Sequence, residues 1–389
     1  MQIILITSKL NLETAGGSVV DLHFKAKGLV ELGHQVTVVT AFSKANKISG
    51  HLPYAVKEEN VSTAYFVSLQ YKIFKLLRKY EQDADVFYVD GNSFLYGGGM
   101  FRWLGGRIPV VAFFNVKLSC YANQMGGGHE NKNIFIRTKR RLRILLEKYI
   151  GTFISNKLDA FIFTTPMVRQ FYLDFKFKKS KSHVIPDFVN TQEIINKQYY
   201  KDVNLHHQSA ETVNILCSGR MITEKGFDLV IKAFSIMEHK ERFKVIMSGS
   251  GPDKERLQEM VNNLGLRSYI SFPGWVTKEE LEKFFQQAHI FILPKWWIEY
   301  TSVLLIEAMA YGLPSIVSGG GGLEWLVGKK GLTFKEEDDI ISLARKIEEL
   351  GNNSELRIDL AESILKKAVE LDYKKLIIQM EDVMRSVVV

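Results

Sequence analysis

The chain has 389 residues, of which 46% are hydrophobic and 24% charged, so it is long enough for two globular domains. Its two cysteines, Cys120 and Cys217, are too few for a disulfide framework or a zinc site, and the apolar start MQIILIT lacks the length and basic residues of a signal peptide. No run of 18 apolar residues occurs, so we expect a cytoplasmic protein without a transmembrane anchor.

The net charge of +8 is concentrated in the first half of the chain. Residues 1–200 carry 27 basic and 15 acidic side chains, whereas residues 201–389 carry 24 and 28. We therefore expect the first half to meet an anionic partner, such as phospholipid head groups, a lipid diphosphate or nucleic acid. No motif typical of nucleic-acid recognition is present, which argues against nucleic acid.

Short apolar runs rich in Val, Ile and Phe alternate with helical patterns, which is typical of parallel sheets with crossover helices. In the first half we predict a helix over 18–32 and strands over 3–7, 36–40, 86–89, 110–114 and 160–164. In the second half we predict strands over 213–217, 243–247, 269–272, 290–293 and 315–317, and helices over 227–237, 252–264, 278–287 and 302–311.

The pattern restarts after a polar stretch at residues 197–211, which indicates two Rossmann-like α/β domains. The assignment is a first domain over 1–190, a linker over 191–212, a second domain over 213–370, and a C-terminal helix over 371–389 that packs back on the first domain. Open parallel sheets bind ligands beyond the carboxyl ends of their strands. Two such sheets facing an interdomain cleft would suit a reaction between two substrates.

The segment EYTSVLLIEAMAYGLP, residues 299–314, carries the most informative pattern. Thr301 or Ser302 can cap a helix, and the free N–H groups at a helix start suit a diphosphate. Glu299 and Glu307, on either side of this start, suit the hydroxyls of a hexose and a ribose. The alternative is a capped amphipathic helix with one buried glutamate, which does not explain Glu307 within LLIEAMA.

A second candidate site follows the predicted strand VNILC, in the segment SGRMITEKG. Gly219 lets a ligand approach the backbone, Arg220 supplies a fixed fork for phosphate oxygens, and Lys225 supplies a mobile point charge. The alternative is two surface cations beside an ordinary strand-to-helix turn.

Two further glycine turns offer backbone amides to an anion. Gly16 and Gly17 open the first predicted helix, and Gly249 follows the second strand of the second half. The first turn is not the GxGxxG fingerprint and no acidic residue ends the strand over 36–40, so an NAD enzyme is disfavoured.

In this order the motifs resemble the retaining glycosyltransferases of family 4, whose architecture is called GT-B. The resemblance covers nearly the whole chain, and its most specific part is residues 299–314, which hold the family's Glu-x7-Glu motif in register with EAMAYGLP. It implies an α/β fold of two Rossmann-like domains, a nucleotide-sugar donor, no metal ion and no cofactor. It also implies a glycan or lipid-linked acceptor in cell-surface polysaccharide or glycoconjugate assembly.

The resemblance also implies roles for individual residues. Glu299 contacts the transferred sugar, Arg220 and Lys225 hold the donor diphosphate, and Glu307 holds the ribose. The whole implied donor site consists of Gly16, Gly17, Gly219, Arg220, Lys225, Gly249, Trp275, Val276, Glu299, Thr301, Ser302, Val303 and Glu307. The catalytic members of this set are Glu299, Arg220 and Lys225.

Two positions depart from the family pattern. Asn115 stands where many members have a histidine near the anomeric carbon, and Thr301-Ser302 stand where members usually have Phe-Gly or a similar pair. Both departures leave the identity of the donor sugar open.

The acceptor side is indicated by Asn115, by His129 in a glycine-rich loop, and by the basic segment RTKRRLRILLEK. Arg137, Arg140 and Arg141 lie in that segment, which can hold a lipid diphosphate or lie on the inner face of an anionic membrane. The alternative is an ordinary packed helix with a solvated basic face.

Three other functions stay open at this point. A catalytically silent partner subunit would not need Arg220, Lys225, Glu299 and Glu307 together. A sugar-nucleotide epimerase would need acid and base residues placed in the cleft, and a sugar phosphorylase would need a pyridoxal-phosphate lysine. Neither is evident in the sequence.

Overall fold

A computed structural model describes residues 1–12, 16–48, 50–61, 65–90, 93–115, 144–197, 203–208, 211–294, 301–328, 332–334 and 339–388. The chain forms two compact units, one of Met1–Val189 with Tyr373–Val389 and the other of Asn190–Asp372. Among the described residues, no helix combines the length and apolar character needed to cross a bilayer.

The described part of the first unit contains one parallel sheet of seven strands, in the order β3-β2-β1-β4-β5-β6-β7. These strands are β1 Gln2–Thr7, β2 Gln35–Thr40, β3 Ala55–Glu58, β4 Val86–Asp90, β5 Val110–Phe114, β6 Ala160–Phe163 and β7 Ser182–Val184. All five residues of β5 are buried, as expected when helices cover both faces of a sheet. Strand order reverses between β1 and β4, which makes their carboxyl ends the switch point of this sheet.

The helices described in the N-terminal part of the first unit are α1 Gly17–Glu31, α2 Phe66–Lys79, α3 Leu95–Trp103, α4 Thr152–Ser155 and α5 Pro166–Asp174. A π-helical turn, Glu147–Gly151, leads into α4. Helix α1 begins at a glycine, and Gly33, with φ 85°, follows its C-terminal end.

The second unit contains a parallel sheet whose described strands number six, in the order β10-β9-β8-β11-β12-β13. They are β8 Val213–Ser218, β9 Phe243–Ser248, β10 Ile270–Gly274, β11 Ile290–Leu293, β12 Ser315–Ser318 and β13 Leu332–Phe334. The described helices are α6 Thr191–Lys197, α7 Val203–Gln208, α8 Phe227–Ile236, α9 Lys254–Asn263, α10 Lys278–Gln287, α11 Val303–Ala310, α12 Gly322–Val327, α13 Ile340–Asn352 and α14 Ser354–Glu370. The predicted architecture of two Rossmann-like α/β units is confirmed, and the second switch point lies between β8 and β11.

The segment 191–212 differs from the linker predicted for it. It contains α6 and α7, and both helices belong to the second unit. The Thr191 hydroxyl donates to the Ala368 carbonyl oxygen at 2.8 Å, and the Gln192 N–H donates to Asp372 Oδ2 at 2.9 Å.

The chain returns to the first unit in its last helix, α15 Tyr373–Arg385. This helix packs on α1, where Gly28 leaves room for Ile377: a Cβ at Gly28 would lie 2.8 Å from Ile377 Cγ1. The contact is reinforced by hydrogen bonds from Tyr373 to Glu31 at 2.9 Å and between His34 Nε2 and Glu381 Oε1 at 2.8 Å.

Candidate functional site

The loop after β8 carries the two predicted phosphate-binding cations. Gly219, with φ 148°, leaves the strand in a conformation that favours glycine, and Arg220 follows it with an exposed side chain. Lys225 is partly buried and closes the 3-10 turn Thr223–Lys225. The next residue, Gly226, has φ 69°, and a Cβ there would lie 2.8 Å from the Pro294 carbonyl oxygen. The loop therefore lies directly against the end of β11.

The loop after β9 joins this one through backbone hydrogen bonds. The Gly219 and Met221 N–H groups donate to the carbonyl oxygens of Ser248 and Ser250 at 3.1 and 2.8 Å. A Cβ at Gly249, where φ is 128°, would collide with the Gly219 carbonyl oxygen. The two loops thus form one compact backbone platform, and only glycine fits at Gly249.

The end of β10 extends the platform. The Gly249 N–H donates to the Gly274 carbonyl oxygen at 2.6 Å, and Gly274 has φ 89°. The chain then presents Trp275, which is 58% exposed, and the partly exposed Val276. The structure therefore brings Gly219, Gly249 and Trp275 to one edge of the second sheet, where an exposed ring can stack on a base.

Helix α11 begins at the same edge, because it follows β11. Of the two predicted capping residues, Ser302 is the N-cap: its hydroxyl accepts from the Leu305 N–H at 3.4 Å. Thr301 precedes it and is partly exposed, and Val303 is the first helical residue. Glu299 lies outside the described residues.

Glu307 lies in the second turn of α11, between the buried residues Ile306 and Ala308. Burial raises the pKa of its carboxyl group to about 7. The positive charge of Lys278, at the start of α10, opposes this shift, while Glu282 in the same helix adds to it. Near neutral pH this carboxyl group therefore changes charge easily.

These elements share the switch point of the second sheet. The Gly219 and Gly249 N–H groups are used within the platform, so the first turn of α11 supplies the backbone donors. Arg220 and Lys225 supply positive charge, and Glu307 supplies a carboxyl group. Cations together with a helix N-terminus form a binding site for a diphosphate. Among the described residues, no group of three or more His, Cys, Asp or Glu side chains is arranged to hold a metal ion.

The remaining predicted residues lie elsewhere. Gly16 is the N-cap of α1 and Gly17 its first residue, both exposed, and Asn115 directly follows β5 with a partly exposed side chain. All three belong to the first unit. The acceptor-side residues His129, Arg137, Arg140 and Arg141 lie outside the described residues.

The sequence analysis did not single out the loop after β12, at the same edge of the second sheet. The Gly320 N–H donates to Glu324 Oε2 at 2.8 Å, and Gly320 has φ 80°. Four consecutive glycines, residues 319–322, were the signal that backbone approaches something closely here.

Comparison with known proteins identifies the family and the fold that the chain shares with them. Residues 15–193 match the sequence model of Glycosyltransferase Family 4, and residues 205–367 match that of Glycosyl transferases group 1. An uncharacterized glycosyltransferase of Methanocaldococcus jannaschii is 24% identical over 334 residues, covering 83% of this chain and 82% of the relative. The alpha-monoglucosyldiacylglycerol synthase of Streptococcus pneumoniae is 24% identical over 243 residues, covering 60% of this chain and 52% of that enzyme.

Solved structures share the fold of the whole chain. Sucrose-phosphate synthase from Thermosynechococcus elongatus superposes with a TM-score of 0.76 and 19% identity, covering 99% of this chain and 98% of that enzyme. The HepE protein of Anabaena, in complex with UDP, gives a TM-score of 0.72 and 14% identity, covering 99% and 100%.

Proposed function

Since the chain belongs to the family 4 glycosyltransferases with the GT-B fold, we propose that it transfers a hexose from a nucleotide-diphosphate sugar to a glycan or lipid-linked acceptor. The transfer retains the anomeric configuration and uses neither a metal ion nor a cofactor. The acceptor belongs to cell-surface polysaccharide or glycoconjugate assembly. The observation that carries the proposal is the edge of the second sheet where the Gly219–Lys225 loop, the Gly249 platform and the start of α11 meet, an arrangement that suits a diphosphate.

The donor site follows from the chemistry of a nucleoside diphosphate. Arg220 and Lys225 neutralise the diphosphate, while the Ser302-capped start of α11 offers free N–H groups to its oxygens. Trp275 flanks the base, and Glu307 accepts hydrogen bonds from the ribose hydroxyls. The solved complex of HepE with UDP supports a nucleotide donor for this fold.

The reaction needs no protein base in this proposal. The bond between the anomeric carbon and the diphosphate oxygen breaks, and its electron pair goes to the diphosphate. The acceptor oxygen attacks the same face of the sugar, and its proton passes to an oxygen of the departing diphosphate. Arg220, Lys225 and the helix start stabilise the negative charge that develops there, which is how fixed cations and dipoles accelerate such a step. Glu299 contacts the sugar.

Calorimetry with UDP and GDP tests the donor site. Arg220→Ala and Lys225→Ala should each weaken nucleoside-diphosphate binding by about 1.5–3 kcal/mol, the usual range for a hydrogen bond to a charged group. Arg242→Ala is the matched control, because Arg242 is an exposed arginine just before β9, at the amino edge of the same sheet. Unchanged affinity in both site variants would place the donor elsewhere.

A surface of the first unit supports a second proposal, which concerns membrane association. Its apolar residues are about half exposed or more: Leu145, Leu146, Tyr149, Ile150 and Phe153. The ammonium groups of Lys148 and Lys157 lie 6.0 and 4.8 Å from the ring centroids of Tyr149 and Phe153. A packed helix would bury these apolar residues, whereas a helix at a bilayer surface exposes them beside basic ones. We propose that this surface, together with the basic segment before it, lies on an anionic membrane.

A further inference from the structure

The carboxyl edge of the first sheet holds a carboxylate that has no role in the donor site. Asp90 is the last residue of β4, and its neighbour across the switch point is Thr7, the last residue of β1. The Thr7 hydroxyl donates to Asp90 Oδ2 at 3.1 Å. Ligands of open parallel sheets bind at this position, outside the carboxyl ends of the strands where strand order reverses.

The neighbouring strand ends make this edge polar. Asn115 directly follows β5, and the buried Thr164 directly follows β6. The Thr164 hydroxyl makes no hydrogen bond within the described part of the chain. Strands with buried and mainly apolar interiors thus end in hydroxyl, amide and carboxyl groups, which is the chemistry that recognises a molecule rich in hydroxyls.

The nearest buried cation, Lys25, does not form a direct ion pair with Asp90. Lys25 of α1 is fully buried, and its ammonium group is engaged with Asp21 at 2.5 Å and with the Tyr88 hydroxyl at 3.1 Å. It also lies 3.2 Å from the ring centroid of Phe113. Lys25 therefore acts on Asp90 by long-range electrostatic attraction and not by a direct hydrogen bond.

Burial raises the pKa of the Asp90 carboxyl group to about 6, while the field of Lys25 and the Thr7 hydrogen bond oppose the rise and Asp21 adds to it. Of the titratable groups that the structure describes, Asp21 and Lys25 of α1 act on Asp90, and Asp90 with Asp187, before α6, acts on Tyr88 in β4. A link between β1 and β4 alone would not require a charged group, since a neutral amide could accept the same hydrogen bond. The side chain is only partly exposed, and among the described residues its hydrogen bond uses Oδ2, so Oδ1 can take a further donor.

We propose that Asp90 binds the acceptor: its carboxylate accepts hydrogen bonds from hydroxyl groups of an acceptor sugar and orients them at the switch point of the first sheet. This inference rests on the proposed glycosyl transfer and assigns the acceptor subsite within it. Because an ionised carboxylate is the stronger acceptor, binding weakens as the group becomes protonated.

The test compares Asp90→Asn with a matched control, Asp85→Asn. Asp85 joins the same two strands at their opposite ends, where its Oδ2 accepts from the Gln2 N–H at 2.7 Å. The assay measures release of UDP from UDP-glucose, or of GDP from GDP-mannose, at saturating donor. It is run with p-nitrophenyl glycosides of glucose, galactose and mannose as acceptors, and with water alone.

Asp90→Asn should lower kcat/KM for the acceptor about 10- to 100-fold, the loss expected for a charge-assisted hydrogen bond. Nucleoside-diphosphate affinity and slow donor hydrolysis by water should stay at the wild-type level. The wild-type kcat/KM for the acceptor should fall as pH drops through about 6, and Asp90→Asn should abolish that dependence. Asp85→Asn should change neither kcat/KM for the acceptor nor its dependence on pH.

Thr7→Val gives a second reading, because it keeps the carboxylate and removes its hydrogen-bond donor. The acidic limb of the acceptor profile should then move to higher pH, since the hydrogen bond favours the ionised form. If Asp90→Asn transfers as well as Asp85→Asn and keeps the acidic limb, the inference is overturned while the proposed function stands. Should Asp90→Asn fail to fold, an unshifted limb in Thr7→Val overturns it. If the wild type neither binds a nucleoside diphosphate nor transfers a sugar, both fail.

Discussion

Three histidines in the second unit should make its stability depend on pH. His206 and His289 stack at 4.5 Å between ring centroids, and His207 lies beside them. His207 Nε2 is 3.3 Å from the Gly312 carbonyl oxygen, at the end of α11, while its buried Nδ1 has no hydrogen-bond partner among the described residues. Arg357 donates to the His207 carbonyl oxygen at 2.7 Å. Protonating this ring would therefore place a charge among other rings and a cation, with no acceptor for the new proton.

The shifts follow from this geometry. Burial, followed by the neighbouring His206, lowers the pKa of His207 to about 3, and burial with both other rings lowers the pKa of His289 to about 3. In the unfolded chain a histidine has a pKa near 6.5, so the unfolded state binds more protons than the folded state below that pH. The stabilisation is thus complete above about pH 6.5 and is lost progressively as the pH falls toward 3.

For a folded pKa of about 3 and an unfolded value near 6.5, the free energy of unfolding falls by about 2 kcal/mol per ring between pH 7 and pH 5. Glu307 acts in the opposite direction, because its folded pKa of about 7 lies above the unfolded value, so the folded state gains stability as pH falls. The wild-type curve combines both effects, and only a difference between variants isolates the histidine.

The perturbation is His207→Gln, whose amide can still donate to the Gly312 carbonyl oxygen. We expect its loss of stability between pH 7 and pH 5 to be smaller than that of the wild type by about 2 kcal/mol. Urea unfolding followed by tryptophan fluorescence measures this, since four of the five tryptophans (residues 275, 296, 297 and 325) lie in the second unit. His239→Gln, at an exposed position, is the control. Equal pH dependence in all three proteins, or a His207 ring that titrates near 6.5 by NMR, would refute the reasoning.

Four further outcomes are expected. Glu299→Gln should lower kcat strongly with little change in nucleoside-diphosphate affinity, because contacts to the sugar strengthen in the transition state. Glu307→Gln should chiefly raise the donor KM. The donor KM of the wild type should also rise as pH falls through about 7, and that of Glu307→Gln should not. If steady-state kinetics showed the reverse pattern, with kcat reduced by Glu307→Gln and KM raised by Glu299→Gln, the roles given to the two residues would be contradicted. Activity should survive excess EDTA, and loss that magnesium or manganese restores would contradict metal-free transfer. The protein should co-sediment with anionic vesicles at low salt and leave them at high salt. If a variant with Arg137, Arg140, Arg141 and Arg143 all changed to Gln bound the vesicles as well as the wild type does, the proposed membrane surface would be wrong.

The sequence predicted the central strands well because a strand that is buried on both faces consists almost entirely of apolar residues. Val110–Phe114 and Ile290–Leu293 are uninterrupted apolar runs, and both are wholly buried strands within a sheet. The start of α11 was equally readable, since a capping residue, an apolar run and a final glycine agree with one another.

Helix α3 shows why other elements were missed. It contains Gly97, Gly98 and Gly99, which disfavour a helix by local propensity. Tertiary packing overrides that propensity: a Cβ at Gly97 would lie 2.7 Å from Ile73 in α2, and one at Gly99 would collide with the Ile154 carbonyl oxygen. Only residues distant in sequence reveal this need for glycine.

The candidate site was predictable in part for a similar reason. Motifs along one stretch of chain, such as Arg220 with Lys225, can be read locally. Asp90 was missed because its position at the switch point depends on strand order, which places it beside Thr7, 83 residues earlier in the chain. A carboxylate that closes the apolar strand VFYVD was the available signal.

The return of α15 to the first unit affects how the protein is made. The second unit is one continuous stretch, Asn190–Asp372, whereas the first is completed only by Tyr373 and the residues after it. A ribosome therefore delivers every residue of the second unit before the helix that covers the apolar face of α1. Domains of nascent chains usually finish in order from the N-terminus, but here the unit that begins first is completed last. Residues 190–372 are accordingly the piece to express alone, and a stop codon before residue 373 would leave Ile377 and its neighbours missing from the core of the first unit.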